Sequence, residues 1–329
     1  MKHIRRAAAR KALPLTVLLP AAALLTAGPC LASESGGGTT PPPAGATSTD
    51  AKPTVVLVHG YWADASGWDR IVQALQAQGY PVVATANPLR SLSGDADYLA
   101  ARLKAIEGPI VLVGHSYGGA VITNAAAGNP NVESLVYIAG FAPDKHETAF
   151  QLAAKYPGSR VTDDPDAPVP TALNAVPLGG DPTNVDLYLK PEKFADVFLS
   201  NRLDAGRTQV LAATQRPATA ASGNEPTQSV AWKTIPSWYL IATDDRTIGT
   251  DNLRFMAKRA KATTVEVNAP HAVMETNPDD VTKLILKAAG DARPSLAETG
   301  TDQRTALLGG AAVLTVAAGT AIVIRVRRT

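Results

Sequence analysis

An α/β fold built on a doubly wound, mostly parallel sheet is the architecture this sequence predicts, and three observations predict it. Short apolar runs without polar alternation recur along the chain, stretches of helical period separate them, and one run breaks into a Gly-x-Ser-x-Gly turn. Strands buried on both faces of a parallel sheet lose the polar alternation of a half-exposed strand, so an unbroken β-branched run is their signature.

The runs come in order as TVVLVHG (54–60), PVVATA (81–86), PIVLVGH (109–115), SLVYIAG (134–140), SWYLIAT (237–243) and TTVEVN (263–268). Helical periodicity fills the intervals with DRIVQALQAQG (69–79), GDADYLAARLKAI (94–106), GAVITNAAAG (119–128), TDNLRFMAKRAKA (250–262) and PDDVTKLILKAAG (278–290). One interval breaks the rhythm. From 142 to 235 the chain passes between two strands over a length far beyond an ordinary connection, which predicts an inserted cap. Its helix-like pieces, HETAFQLAAKY (146–156) and KPEKFADVFLSNRL (190–203), make a helical cap the expectation. The whole α/β domain is expected to span 53–292.

Both flanks read as addresses. Residues 1–32 carry five basic residues and no acid, then an apolar stretch from Leu13 to Ala27 and a small-residue exit, the pattern of a secretory signal peptide cleaved after about Ala32. Arg5-Arg6 leaves twin-arginine export open beside the general route. Cys30 is the chain's one cysteine; with cleavage after Ala32 it leaves with the signal and stability in the mature protein rests on its core, a lipid-modified Cys30 being the alternative. Residues 33–52 are rich in Gly, Pro, Ser and Thr and read as a flexible linker. At the far end a spacer with the pentapeptide LAETG (296–300) precedes an apolar run at 305–324, long enough to cross a bilayer once, and a basic tail at 325–329. Pentapeptide, apolar helix and basic tail together resemble the sorting signal read by sortases of Gram-positive bacteria. That resemblance implies cleavage between Thr299 and Gly300, linkage of Thr299 to a cell-wall peptide acceptor, and membrane contact through the C-terminal helix beforehand, with plain membrane anchoring by that helix as the alternative.

With those ends set aside, residues 33–299 hold 28 acidic and 22 basic residues, which speaks against nucleic acid as a partner. The chemistry sits in VLVGHSYGGAV (111–121). Gly114-His115-Ser116-Tyr117-Gly118 closes a buried strand and opens a helix, the setting in which this motif is a nucleophile elbow. A serine hydroxyl is a poor nucleophile until a base accepts its proton, and the base needs an orienting acid, in chain order serine, acid, histidine. Of five histidines, only His271 lies after the later strands. For the acid, Asp245 is preferred because it lies further past its strand end, with Asp244 the alternative. Developing negative charge needs two backbone N–H donors. Tyr117, after the nucleophile, supplies one, and the loop after the first strand supplies the other from Tyr61, with Trp62 second. His115, Trp232 and Trp238 read as packing residues. Within the cap, Phe150, Tyr156, Tyr188, Phe194 and Phe198 are candidates either for an apolar pocket or for the cap's own core. No P-loop, His-Glu-x-x-His or dinucleotide fingerprint occurs.

The segments VVLVHGYWADASGW, LVGHSYGGAV, AGFAPD, ATDDRTI and NAPHAVMETNPDDV resemble the α/β-hydrolase superfamily, in particular its small bacterial esterase-like branch related to plant methyl esterases and hydroxynitrile lyases. The resemblance implies Ser116, Asp245 and His271 as a catalytic triad, no metal or organic cofactor, and a small-molecule ester as substrate. Trp62, His146 and Phe150 are the expected substrate-binding residues. His146 stands where such relatives tend to have glycine. The fold also hosts cofactor-free lyase and peroxidase-like chemistry, and a non-catalytic wall-displayed binding protein is a further reading.

Overall fold

In the computed structural model, residues 52–180 and 184–291 are described. Strands β1 (Thr54–Val58), β2 (Val82–Thr85), β3 (Ile110–His115) and β4 (Val132–Ile138) alternate with helices α1 (Asp69–Ala77), α2 (Leu92–Lys104) and α3 (Tyr117–Ala125). The cap follows, with α4 (Ala149–Ala153), β5 (Leu173–Pro177), β6 (Val185–Leu189), α5 (Pro191–Leu199), α6 (Ala205–Thr214), β7 (Ala218–Thr219) and α7 (Ala220–Asn224). The sheet then resumes through β8 (Ser237–Ala242), α8 (Thr250–Arg259), β9 (Thr263–Val267), α9 (Val273–Thr276) and α10 (Pro278–Asp291).

Six strands form one parallel sheet in the order β2-β1-β3-β4-β8-β9. All six residues of β3 and of β8 are buried, as the absence of polar alternation required, because helices cover both faces. The helix α1 packs on α10, and α2 on α3. Amphipathic spacing explains the first packing, since Ile71 and Leu75 of α1 are fully buried while Arg70, Gln73 and Gln76 face solvent. Each buried Val, Leu or Ile in these strands contributes about 1.5–3 kcal/mol by leaving water. At the β9 edge Thr263, Thr264, Val265 and Glu266 are exposed, and the Glu266–Arg254 ion pair charges that edge, which discourages pairing with another chain.

The cap differs from expectation. It is not purely helical, because β5, β6 and β7 form a separate three-stranded antiparallel sheet. Short strands of this kind owe their stability to cross-strand partners rather than to their own residues, so local periodicity did not announce them. Strand order reverses between β1 and β3, and the crevice beyond their carboxyl ends is where an open α/β sheet places its ligands. The cap sits against that crevice, as Trp62 shows by donating its N–H to the Arg216 carbonyl and its indole Nε1–H to that of Leu187, both at 3.0 Å.

Candidate active site

Ser116 caps α3 directly after β3, with φ 53° and ψ −126°. This is left-handed backbone that a serine adopts only at a cost of about 1–3 kcal/mol, held by the surrounding packing. The flanking glycines are dictated by space. A Cβ at Gly118 would lie 2.4 Å from the Val58 carbonyl oxygen, and one at Gly114 would lie 2.6 Å from the Gly118 carbonyl carbon. Strand and helix can cross at this point only without those side chains.

His271, in the loop after β9, brings Nε2 to 2.9 Å from Ser116 Oγ and Nδ1 to 2.6 Å from Asp245 Oδ2. The His271 and Asp245 side chains are wholly buried. Asp245 Oδ1 accepts the N–H groups of Thr247 and Ile248, each at 2.8 Å. Burial alone would raise the Asp245 pKa, but the imidazole beside it and these N–H groups outweigh burial and hold the carboxyl below its ordinary 3.8. An ionised Asp245 accepts the His271 Nδ1 proton, which leaves Nε2 free to accept from the serine hydroxyl. Of the two adjacent acids, Asp245 is the one that reaches His271. Asp244 turns outward, paired with Arg202 at 2.9 Å and Arg246 at 3.1 Å.

The cap clamps this acid loop. Arg246 reaches Asp196 of α5 at 2.5 Å, Ser200 donates to the Asp244 carbonyl at 2.6 Å, and Thr247 donates to that of Val197 at 2.9 Å.

Gly60 lies so close to the elbow that a Cβ on it would meet Ser116 Cβ at 2.5 Å and the Tyr117 nitrogen at 3.0 Å. The Trp62 N–H is spent on Arg216, whereas that of Tyr61 has no partner among the hydrogen bonds of the described residues. Tyr117 opens α3, so its N–H has no intrahelical acceptor. The two tyrosine rings stack with centroids 4.3 Å apart and planes 17° apart. Their hydroxyls are held, Tyr117 by donating to Asp95 at 3.0 Å and Tyr61 at 2.9 Å from Ser222 Oγ.

Two contributors escaped the sequence reading. His59 donates Nδ1–H to the Gly60 carbonyl at 3.0 Å and accepts the Asn87 backbone N–H on Nε2 at 3.0 Å, while Asn87 Nδ2 donates to the His59 carbonyl at 2.9 Å. The Gly60 carbonyl and the Tyr61 N–H belong to one planar peptide unit, so fixing the first orients the second. The His-Gly dipeptide was a signal for this, but Asn87 lies 28 positions away from His59. The second contributor is His115. It does more than pack, because its Nε2 donates to the His271 carbonyl at 3.0 Å, with the rings 4.8 Å apart.

Burial, reinforced by His271, pushes the His115 ring down to about 3, and burial lowers His59 as well. Both are neutral in the folded protein, while in the unfolded chain they take up protons below the ordinary value of 6.5. The unfolded state then binds more protons, so stability is complete above that pH and is lost as pH falls. His115 alone accounts for about 2 kcal/mol of loss between pH 6.5 and pH 5. Melting temperature is therefore expected to drop across this range, and a flat profile would contradict the assignment.

Ser116 opens into a cavity of about 790 Å³ lined mainly by apolar groups, among them Phe141, Phe150, Tyr156, Leu173 and Leu187. Trp62 and Phe150 are among the residues that line it. His146 is not. It is exposed in a left-handed turn at φ 69°, with its N–H on the Thr227 carbonyl at 2.8 Å, so its side chain leaves toward solvent. Phe194 and Phe198 belong to the cap's core, 5.2 Å apart, with Phe198 backing the His271 ring at 5.4 Å. Tyr188, half-buried on β6, is not among the lining residues, whereas Tyr156 is. Asp163, whose hydroxyl partner Thr171 keeps its carboxyl below the ordinary range, is the one charged side chain in the lining among the described residues. Thr299, Gly300, the signal segment and the apolar C-terminal run lie outside the described residues. Within those residues no helix is long and apolar enough to cross a membrane.

Comparison with known proteins gives the same architecture. The model of the alpha/beta hydrolase family matches residues 55–284. An alpha/beta hydrolase, nvfD, of Aspergillus novofumigatus is 28% identical over 264 residues, covering 73% of this chain and 98% of its own. A pyrethroid hydrolase of Sphingobium wenxiniae is 25% identical over 279 residues, covering 78% of this chain and 96% of its own. The crystal structure of polyneuridine aldehyde esterase superposes with a TM-score of 0.60 at 18% identity, over 72% of this chain and 98% of that one, a likeness of fold.

Proposed function

The chain belongs to the alpha/beta hydrolase family, and on that premise we propose that it hydrolyses uncharged carboxylic esters through an acyl-Ser116 intermediate. The observation that carries this reading is the unbroken hydrogen-bond chain from Asp245 through His271 to a serine hydroxyl that faces an apolar cavity.

Ser116 Oγ attacks the ester carbonyl carbon while its proton passes to His271 Nε2. The imidazolium so formed is stabilised by Asp245. Negative charge collects on the former carbonyl oxygen, where the N–H groups of Tyr61 and Tyr117 receive it. The tetrahedral centre collapses, the C–O bond to the alcohol breaks, and the leaving oxygen takes the proton from His271. Water then repeats the sequence. His271 removes its proton as it attacks the acyl carbon, the bond to Ser116 breaks, and the proton returns to Ser116 as the acid departs. The apolar walls and the lone Asp163 carboxylate favour esters without negative charge, because no cation in the described lining would pair with an anion.

The pyrethroid hydrolase among the relatives is consistent with a bulky apolar ester as substrate. Export by the N-terminal segment and wall linkage through Thr299 complete the proposal. A mature chain recovered from the wall fraction of a Gram-positive host and ending at Thr299 would support that part, and one that keeps its apolar C-terminal run would refute it. The enzymatic test is hydrolysis of p-nitrophenyl esters together with labelling by an active-site fluorophosphonate. Turnover and a covalent adduct on Ser116 are expected, and failure of both removes the hydrolase reading.

A further inference from the structure

The short cap helix α7 touches the site through two neighbouring residues, Ser222 and Gly223, that are not among those lining the Ser116 cavity. Ser222 accepts the Tyr61 hydroxyl while donating to the Thr219 carbonyl at 2.8 Å. Gly223, next in the chain, is buried against the tip of the Phe150 ring. A Cβ built on Gly223 would lie 2.3, 2.4 and 2.6 Å from Phe150 Cζ, Cε1 and Cε2, separations that real Cβ atoms essentially never show.

Glycine is not required there by the backbone. Gly223 sits inside a helix and is absent from the positions with positive φ, so alanine would suit its conformation and would be the better helix former. What the missing side chain provides is room, and Phe150 occupies it. Phe150 itself is carried by α4, whose start is fixed by the reciprocal Thr148–Gln151 capping box, so the backbone beneath the ring is anchored. An added Cβ at 223 therefore displaces the ring rather than the helix, and the space that the ring borders is the substrate cavity.

We propose that Gly223 is a specificity-determining residue that sets the length of apolar ester accepted, by letting the Phe150 ring lie back from the cavity. This rests on the ester-hydrolase reading above. The Ser116–His271–Asp245 chain and the Tyr61–Ser222 contact do not involve the 223 side-chain position, so chemistry on a short ester is untouched.

The test compares the wild type with Gly223→Ala, Phe150→Leu and the double variant on p-nitrophenyl esters from acetate to decanoate. Affinity for the uncharged fluorophore N-phenyl-1-naphthylamine is measured alongside. Gly223→Ala is expected to keep acetate turnover within about twofold and to lose about tenfold or more in kcat/KM on decanoate, mainly through KM. Phe150→Leu in the same chain restores the long ester, because the shorter side chain clears the new Cβ. Fluorophore binding weakens and recovers in parallel. Equal losses on both esters, or a decanoate loss that Phe150→Leu does not relieve, overturn the proposal. If Gly223→Ala alone does not fold, folding regained in the double variant is the same rescue, and folding not regained also overturns it. Should the wild type hydrolyse none of the esters and take no fluorophosphonate label, the hydrolase reading falls; with or without the label, fluorophore affinity still decides whether Gly223 shapes the cavity: a weakening with recovery upholds it, no change refutes it.

Discussion

Replacing Ser116 with alanine is expected to reduce ester turnover by roughly a millionfold in kcat, the scale on which a triad acting as a unit fails when its nucleophile is removed. Tyr61 and Tyr117 keep their N–H groups in the variant, so a residual rate above that of water, about a thousandfold, is the expected floor. The fluorophosphonate adduct disappears with it. Because alanine keeps a Cβ at φ 53°, the backbone strain stays and the melting temperature is unchanged. Ser116→Gly removes both hydroxyl and strain. It should be equally inactive yet more stable by about 1–2 kcal/mol, which a melting curve resolves. A Ser116→Gly variant that melts below the wild type would show that the elbow is not strained.

Asp245→Asn is expected to cost about 10⁴-fold in kcat with the fold intact, and the reason is a tautomer. The asparagine carbonyl would keep the N–H groups of Thr247 and Ile248, now held by Asp245 Oδ1. Its amide nitrogen would then face His271 Nδ1, which must give up its proton in order to accept. The proton moves to Nε2, and a protonated Nε2 cannot take one from Ser116. Single-turnover acylation reads this directly, and a variant acylating at the wild-type rate would remove Asp245 from its assigned role. A second consequence concerns acid stability. The carboxyl of Asp245 is held below its ordinary 3.8 in the folded protein, so its stabilisation is present above that value and is lost as pH falls through the lower folded value. An amide in its place does not titrate, and the melting profile of Asp245→Asn should be flatter at that acid end.

Much of the site was legible because its parts are punctuation between regular elements. An unbroken apolar run ending in Gly-x-Ser-x-Gly has few other uses, and with five histidines in the chain the fixed order of nucleophile, acid and base left His271 alone in place. Asp245 could be preferred over Asp244 but not separated from it by spacing, since the two are adjacent. The loop's turn decides that one carboxylate faces His271 while the other meets Arg202 and Arg246. His59 and Asn87 were illegible for a different reason. Their bond joins the ends of two neighbouring strands, and such a contact leaves no trace in either segment.

The cap shows where sequence reading stops. Phe150, Phe194, Phe198 and His146 are alike in having no local signal for direction, yet Phe150 lines the cavity, Phe198 backs the His271 ring, Phe194 packs behind Phe198 in the cap's core and His146 faces water. By itself the sequence determined the alternation of strand and helix, the place of the elbow and the order of the chemical groups. All of these follow from backbone periodicity and from the few residues that tolerate a tight turn. Only the tertiary structure decided the size of the cavity, the wall that Phe150 makes and the orientation of the Tyr61 peptide. Those depend on which distant side chain fills the space beside each residue, and close packing settles that only once the chain has folded.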